Sequence, residues 1–145
     1  MNERKEKLLN VSGIIYVLVD GERLLLTRRI KEGSAFFNEY LFPGGRLEES
    51  DSTTYDCTKR EIEEERGCTA KVCSSLGVVS YRHPAAGVIS LEVFLVEKDD
   101  IIGEVGNKEP EKEELVWVSV CEADMLCKVE GAKIVLNLVK QRLLG

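Results

Sequence analysis

Two apolar runs near the start of the chain are separated by a two-residue turn signal. Residues 12–19 and 23–27 are rich in apolar and β-branched side chains, and Asp20-Gly21 lies between them. Asp-Gly suits a tight hairpin turn because the turn requires positive φ. The pattern therefore predicts an antiparallel hairpin.

A short strand is predicted at residues 40–42, and the Pro-Gly-Gly sequence at residues 43–45 ends it. Proline cannot donate to a sheet ladder, and two glycines permit unusual φ values. We therefore expect the chain to turn at residues 43–45.

A helix is predicted from about residue 52 to residue 66. Asp51 or Ser52 could serve as its N-cap, and Gly67 could serve as its C-cap. The helix therefore begins shortly after the Pro-Gly-Gly turn and has a defined stop signal.

The second half of the chain alternates between strand and helix patterns. Strands are expected at about residues 71–81, 87–96 and 115–120, and a closing amphipathic helix at about 131–144. The stretch from 98 to 114 is a charged loop, and one face of the middle strand is continuously apolar: Ile89, Leu91, Val93 and Leu95. Strands interleaved with two helices predict an α/β fold with helices on the faces of a sheet.

Composition narrows the class of protein. The chain of 145 residues is 43% hydrophobic and 32% charged, which is typical of one globular domain spanning residues 1–145. No apolar run approaches a membrane span, and residues 1–10 do not resemble a secretory signal, so we expect a cytoplasmic protein. The net charge of −6 disfavours stable nucleic-acid binding through a basic surface.

Cysteine chemistry is not favoured by the sequence. The five cysteines show no zinc-type spacing, and we interpret them as small apolar fillers: Cys57, Cys68, Cys73, Cys121 and Cys127. His83 is the only histidine; it could contact substrate from a loop, but the simplest interpretation gives it no role.

The predicted helix carries an unusual cluster of carboxylates. Glu61, Glu64 and Glu65 stand at i, i+3 and i+4 and share one helix face. They repel one another and lie in the last turn, where the helix dipole favours cations. Although glutamate-rich helices are commonly only solvated, this arrangement suits a magnesium ion, which prefers hard oxygen ligands.

The segment from residue 44 to residue 68 resembles the Nudix box. The second half of that signature is matched at seven positions, and its opening glycine at one: Arg60, Glu61, Ile62, Glu64, Glu65, Gly67 and Cys68, with Gly45. A downstream strand with the sequence EELVWVS, at residues 113–119, is also similar to the family's closing strand.

The first half of the box departs from the pattern. The acid expected after five residues is Asp51 and not glutamate, and eight residues separate it from Arg60 where the family has seven. In the family this acid pairs with the motif arginine. Here Asp51 could do so, and Glu48 or Glu49 could take the same role.

The resemblance implies a fold and a reaction. The fold would be a Nudix-type α/β/α sandwich with a mixed β-sheet between helices. The activity would be Mg²⁺- or Mn²⁺-dependent hydrolysis of a diphosphate in a small nucleotide, with (deoxy)nucleoside triphosphates, oxidised or ordinary, as the leading substrates. ADP-ribose or another sugar nucleotide comes next, and family members are often homodimers.

The resemblance also implies site residues. The expected metal ligands are Glu61, Glu64, Glu65 and Gly45, and the expected catalytic residues are Glu64, Glu61 and Arg60. The general base is a box glutamate or one of four loop glutamates: Glu109, Glu111, Glu113 and Glu114. The expected substrate-binding residues are Arg29, Phe42, Gly44, Gly45 and Trp117, although Arg29 could equally be a surface residue, and Phe42 and Trp117 could equally pack in the core.

Two other function classes stay open at this stage. A Nudix fold that has lost catalysis could serve as a binding module, and the longer box loop is the feature in its favour. A calcium- or magnesium-binding structural protein would leave the Gly-Gly turn and the Arg60-Glu61 pair unexplained. Metal-dependent turnover of a diphosphate discriminates the enzyme from both.

Overall fold

A computed structural model of the chain describes residues 11–144. The expectation that residues 1–10 carry no secretory signal therefore lies outside the described residues. Among the helices that the structure describes, none is long and apolar enough to cross a membrane.

The first two strands form the expected hairpin. Strand β1 (Gly13–Asp20) pairs antiparallel with β2 (Arg23–Arg29), with Val19 opposite Leu24, and Gly21 takes φ 63° in the turn. The positive φ explains why the Asp-Gly signal located the turn correctly.

Beyond the turn, β1 and β2 diverge, and two short strands fill the gap between them. Strand β3 (Tyr40–Leu41) pairs with β2, and β4 (Gly44–Arg46) pairs with the beginning of β1. The Pro-Gly-Gly segment carries the chain from one side of the gap to the other. This divergence creates the opening in which the candidate site lies.

The reason for the two glycines differs from the expected one, since neither Gly44 nor Gly45 has positive φ. A Cβ on Gly44 would collide with the carbonyl oxygen of Ile14, and a Cβ on Gly45 would collide with the Glu61 carboxylate. Close approach, and not left-handed backbone, therefore requires glycine at both positions.

The rest of the main sheet is mixed. Strand β6 (Ser74–His83) pairs antiparallel with β7 (Gly87–Glu97), which runs parallel to β1, and β9 (Glu113–Ser119) pairs antiparallel with β2. The three predicted strands in this half are confirmed, with bounds shifted by up to three residues.

The stretch predicted as a charged loop contains some regular structure. A 3₁₀ turn (Lys98–Asp100) leads into β8 (Ile101–Ile102), which pairs with β5 (Thr69–Ala70) in a separate two-stranded sheet. The last two residues of the predicted loop belong to β9.

Helices cover both faces of the main sheet, which confirms the α/β class. Helix α1 (Thr54–Arg66) lies on one face, and α2 (Val120–Leu126) and α3 (Glu130–Leu144) lie on the other. The sequence analysis expected two helices and missed α2. Alternate residues of β1 enter opposite cores, because successive side chains of a strand point to opposite faces.

Strand β7 is buried on both faces. Leu91, Val93 and Leu95 enter the core beneath α2 and α3 as predicted, and Ile89 is partly buried beside them. Phe94 and Val96 enter the core beneath α1. A strand that lies between two helical layers is expected to have apolar residues on both sides.

The ends of α1 correct one prediction and confirm another. The N-cap is Thr53, whose hydroxyl accepts the backbone N–H of Asp56 at 3.0 Å, so neither Asp51 nor Ser52 caps the helix. Gly67 is the C-cap with φ 70°, as predicted, and its N–H bonds to the carbonyl of Glu63. The carboxylate of Asp51 makes a different contact, which organises the candidate site.

Candidate active site

The Arg60 guanidinium on α1 contacts several acidic side chains, some on the helix and some in the loop before it. Its Nε and Nη2 donate to the two oxygens of Asp51 at 2.9 and 2.8 Å. Its Nη1 lies 2.7 Å from Glu61 and 3.1 Å from both Glu64 and Glu48. One guanidinium therefore holds four carboxylates around it, with charge-assisted bonds on each side.

The Asp51 carboxylate is the buried partner of this group, with a side chain only 3% exposed. It also accepts the backbone N–H of Glu48 at 2.9 Å. The hydrogen bonds from Arg60 lower the pKa of Asp51, and those to Asp51 and Glu61 raise the pKa of Arg60. Asp51 therefore stays ionised and fixes the arginine, which is the role that the resemblance implied for the box acid.

Three of the carboxylates lie close enough to share one cation. The oxygens of Glu48, Glu61 and Glu64 fall within 4.8 Å of one another. Glu61 is buried, and its burial raises the pKa of its carboxyl, while the hydrogen bond from Arg60 opposes this effect. Glu48 was not predicted as a ligand, although the sequence analysis named it as a candidate partner for Arg60.

Gly45 positions the buried carboxylate. A side chain at this position would occupy the space of the Glu61 carboxyl group, so strand β4 and helix α1 can approach only because residue 45 is glycine. The box glycine and the first box glutamate therefore lie in direct contact, as a shared site requires.

Glu65 lies apart from the three clustered carboxylates. It accepts a hydrogen bond from the Tyr16 hydroxyl at 2.6 Å on the inner side of α1. Burial raises the pKa of Glu65 to about 7, and the hydrogen bond from Tyr16 only partly opposes this effect. Its predicted role as a metal ligand stays a prediction.

The four loop glutamates do not join the cluster in the described part of the chain. Glu113 forms an ion pair with Arg66, Glu114 with Arg28 and Glu109 with Lys112. Glu111 is exposed. A general base among these four stays a prediction.

A pocket of about 580 Å³ opens beside the carboxylate cluster, between the sheet and α3. Four of the five predicted substrate-binding residues line it: Arg29, Phe42, Gly44 and Gly45. Since Gly45 also touches Glu61, the pocket and the acidic cluster meet at this residue. A volume in this range suits a small-molecule ligand.

Trp117 is the predicted substrate residue that the structure does not bring to the pocket. It lies on β9 opposite Leu25 and packs, half-buried, against the core beneath α1. The pocket lies on the other face of the sheet, so core packing is the alternative that the structure favours for Trp117.

Three aromatic residues that line the pocket were not among the predicted substrate-binding residues: Phe36, Tyr81 and His83. His83 was expected to have no role in preference to a substrate contact, but it lines the pocket and contacts the Phe36 ring edge-on, with centroids 5.4 Å apart. Phe36 has φ 61°, a left-handed conformation that is rare for a bulky residue. Such backbone outliers often occur at binding sites, and this signal is visible only in the structure.

The interpretation of the cysteines as interior fillers fits four of the five, since Cys121 is exposed. Four cysteines are buried, and burial raises the pKa of each of their thiols: Cys57, Cys68, Cys73 and Cys127. Raised values suppress the reactive thiolate.

The comparisons with known proteins agree with this geometry. A family model described as the NUDIX domain matches residues 9–138. No curated protein matches the sequence significantly.

Solved structures share the fold over most of the chain. The MutT NUDIX hydrolase from Burkholderia pseudomallei is 26% identical, with a TM-score of 0.72 over 88% of this chain and 95% of that protein. The MutT protein from Bacillus halodurans is 25% identical, with a TM-score of 0.64 over 86% and 78%. The NUDIX domain of Shewanella oneidensis NrtR, solved with ADP ribose, is 16% identical, with a TM-score of 0.70 over 99% of both chains.

Proposed function

The chain belongs to the NUDIX domain family of hydrolases, and on that premise we propose that it is a magnesium-dependent pyrophosphohydrolase of nucleoside triphosphates. The substrate would be a ribo- or deoxyribonucleotide, and the products a nucleoside monophosphate and pyrophosphate. The observation that carries this proposal is the cluster of Glu48, Glu61 and Glu64 beside a pocket of about 580 Å³, which it meets where Gly45 touches Glu61.

The donor set fits a hard divalent cation. Glu48, Glu61 and Glu64 offer carboxylate oxygens only, which Mg²⁺ and Mn²⁺ accept readily. A cation beside the buried Glu61 would favour its ionised form, as Arg60 already does. When bound, the cation would neutralise phosphate oxygens and lower the pKa of a coordinated water.

The protein residues would prepare the site for this chemistry. Asp51 fixes Arg60, and Arg60 in turn holds Glu61 and Glu64 in place. Gly45 leaves room for the Glu61 carboxyl group. Glu65 and the backbone of Gly45 complete the proposed ligand set, while Arg29 and Phe42 would bind the substrate in the pocket.

Two alternatives from the sequence analysis compete with the proposed function. ADP-ribose, which the S. oneidensis domain binds, tests the sugar-nucleotide alternative. A non-catalytic binding module would lack turnover, and the retained Arg60 and glutamate cluster argue against it. A cytoplasmic location, a single domain over residues 1–145 and assembly as a homodimer stay predictions.

The test is a panel of nucleoside triphosphates and ADP-ribose, incubated with Mg²⁺ and analysed by product mass. We expect pyrophosphate release that EDTA abolishes. Glu64→Gln should reduce the rate at least about a hundredfold, because metal assistance contributes several kcal/mol to the barrier. Glu63→Gln is the matched control, since Glu63 is the exposed neighbour outside the cluster.

The outcomes separate the alternatives. Cleavage of ADP-ribose alone would replace the triphosphate proposal, and the absence of any metal-dependent cleavage would favour the binding module. Equal losses in Glu64→Gln and Glu63→Gln would show that the cluster is not the catalytic centre.

A further inference from the structure

The pocket beside the acidic cluster has an unusual set of polar groups. Its walls are mainly apolar and aromatic, with Phe36 and Phe42 among the aromatic residues. The polar side chains of the lining are Ser12, Arg29, Arg46, Tyr81 and His83. Within residues 11–144, no carboxylate or side-chain amide belongs to the lining.

Arg29 offers an unused hydrogen-bond donor. Its Nε is buried and has no partner among the described residues. A buried donor without a partner is costly in the free protein and gains a bond when a ligand supplies an acceptor. Arg29 therefore favours a ligand that presents an oxygen acceptor to the pocket, such as a carbonyl group.

His83 offers a second donor. Its Nδ1 accepts the backbone N–H of Ala85 at 3.1 Å, so in the neutral ring the proton resides on Nε2. The edge-on contact with Phe36 restrains the ring in this orientation. Nε2–H is then left to donate to a ligand.

Acceptors among the lining side chains are limited to two hydroxyl groups. The Ser12 hydroxyl donates to the carbonyl of Ser90 at 3.3 Å, and its oxygen can still accept. Tyr81 packs its ring against Gly131, where any added Cβ would collide with it, so its position is fixed by α3. Most other lining residues lie in strands or in α3, where ladder and helix bonds engage many of the backbone carbonyls, although the short strands β3 and β4 are each paired along one edge only.

We propose that this pocket binds the base of the substrate and selects a pyrimidine-2,4-dione, uracil or thymine, over bases that carry an exocyclic amino group. This inference rests on the proposed function and names its substrate class. The two carbonyl oxygens of the dione match the donors of Arg29 and His83, and its single N–H can donate to the Tyr81 hydroxyl.

The other bases fit the donor-rich lining poorly. Cytosine, adenine and guanine each present an amino group with two N–H bonds. Among the side chains of this pocket, only the Ser12 and Tyr81 hydroxyls could accept its two N–H bonds, and any N–H left unpaired after losing its water is disfavoured. A site that leaves polar groups of the wrong substrate unpaired can discriminate strongly.

The direct test compares dUTP with dCTP, which are nearly equal in size. Uracil has a carbonyl at position 4 and an N–H at position 3, where cytosine has an amino group and an acceptor nitrogen. We expect kcat/KM with Mg²⁺ to be at least about tenfold higher for dUTP and dTTP than for dCTP, dATP or dGTP. Equal or faster cleavage of any amino-bearing base would overturn the inference while leaving the proposed hydrolase intact.

A second measurement separates base choice from catalysis. Calorimetric titration of dUMP and dCMP reads the base preference directly. If none of the triphosphates is cleaved, the proposed function fails, but stronger binding of dUMP would still support the pocket assignment. Equal binding of dUMP and dCMP, or binding of neither nucleotide, would overturn the pocket assignment.

A variant at His83 tests whether the hydrogen-bond donors of the pocket set the base preference. His83→Gln keeps an N–H donor and adds a carbonyl acceptor, so we expect dCTP cleavage to rise and the dUTP preference to narrow severalfold. Arg82→Gln is the control, because Arg82 is the exposed neighbour on β6 and does not line the pocket. An unchanged preference in His83→Gln, or an equal change in both variants, would overturn the role of His83.

Discussion

The position of a single carboxylate determines how the box arginine is held. Asp51 is one methylene shorter than the glutamate of the family signature, and the segment between it and Arg60 is one residue longer. The structure brings both oxygens of Asp51 within hydrogen-bonding distance of the guanidinium. The extra loop residue therefore offsets the shorter side chain. The sequence analysis had left open whether Asp51, Glu48 or Glu49 takes the role of the box acid that pairs with Arg60.

Replacing Asp51 should destabilise the protein and misplace Arg60. Asp51→Ala removes two charge-assisted bonds to a largely buried arginine, and we expect a loss of about 2–3 kcal/mol in the free energy of unfolding. Urea denaturation measures this loss, and kcat should fall because Arg60 also holds Glu61 and Glu64.

Two further variants make this prediction specific. Glu49→Ala is the control, because Glu49 is exposed and a surface change of this kind usually alters stability by no more than about 0.5 kcal/mol. Asp51→Glu restores the family's residue, yet it should remain less stable than the natural protein because the buried space is shaped for aspartate. Equal stability of Asp51→Ala and Glu49→Ala would contradict the assigned role.

Local signals predicted the elements better than their exact ends. The Asp-Gly turn, the helix stop at Gly67 and the apolar face of β7 depend on neighbouring residues, and each was predicted correctly. The N-cap was not, because Asp51, Ser52 and Thr53 are all good caps. The bonds between Asp51 and Arg60 remove Asp51 from the choice, and the bond from the Asp56 N–H selects Thr53 over Ser52.

The missed helix α2 did carry a local signal. Ser119 and Glu122 form a reciprocal capping box, and this spacing is legible in the sequence. The pocket lining had no such signal, since Phe36, Tyr81 and Gly131 come from three separate parts of the chain. The motif therefore predicted two members of the acidic cluster, Glu61 and Glu64, but not Glu48, and the pocket that we propose for the substrate depends on tertiary structure.

The N-cap of α1 provides a test of which residue begins this helix. Thr53→Ala removes the hydroxyl that accepts the N–H of Asp56, and we expect a loss of about 1 kcal/mol in stability. Ser52→Ala, at the adjacent exposed position, should change stability little. A larger loss for Ser52→Ala, measured by urea denaturation, would move the cap to that residue.

Across the whole molecule, the C-terminal end of α1 is fastened to strand β9 and the loop before it. Arg66 is fully buried and pairs with Glu113 at 2.5 Å, while its Nε and Nη1 have no partner among the described residues. The backbone N–H groups of Gly106 and Lys108 bond to the carbonyls of Arg66 and Glu65. The helix that carries the acidic cluster is thus held at its end by a segment some forty residues away in sequence.

Removing the Glu113 carboxylate should strongly destabilise the protein. In Glu113→Ala the Arg66 guanidinium would stay buried without its counter-charge, and breaking such a pair typically costs about 3–5 kcal/mol. Urea denaturation measures this cost, with Glu111→Ala as the exposed control on the same segment. The double variant Arg66→Met/Glu113→Leu should recover much of the lost stability, since well-packed apolar residues can replace a buried ion pair. A stable Glu113→Ala protein would mean that the buried guanidinium reaches water or another acceptor, and that the end of α1 is held by the backbone bonds alone.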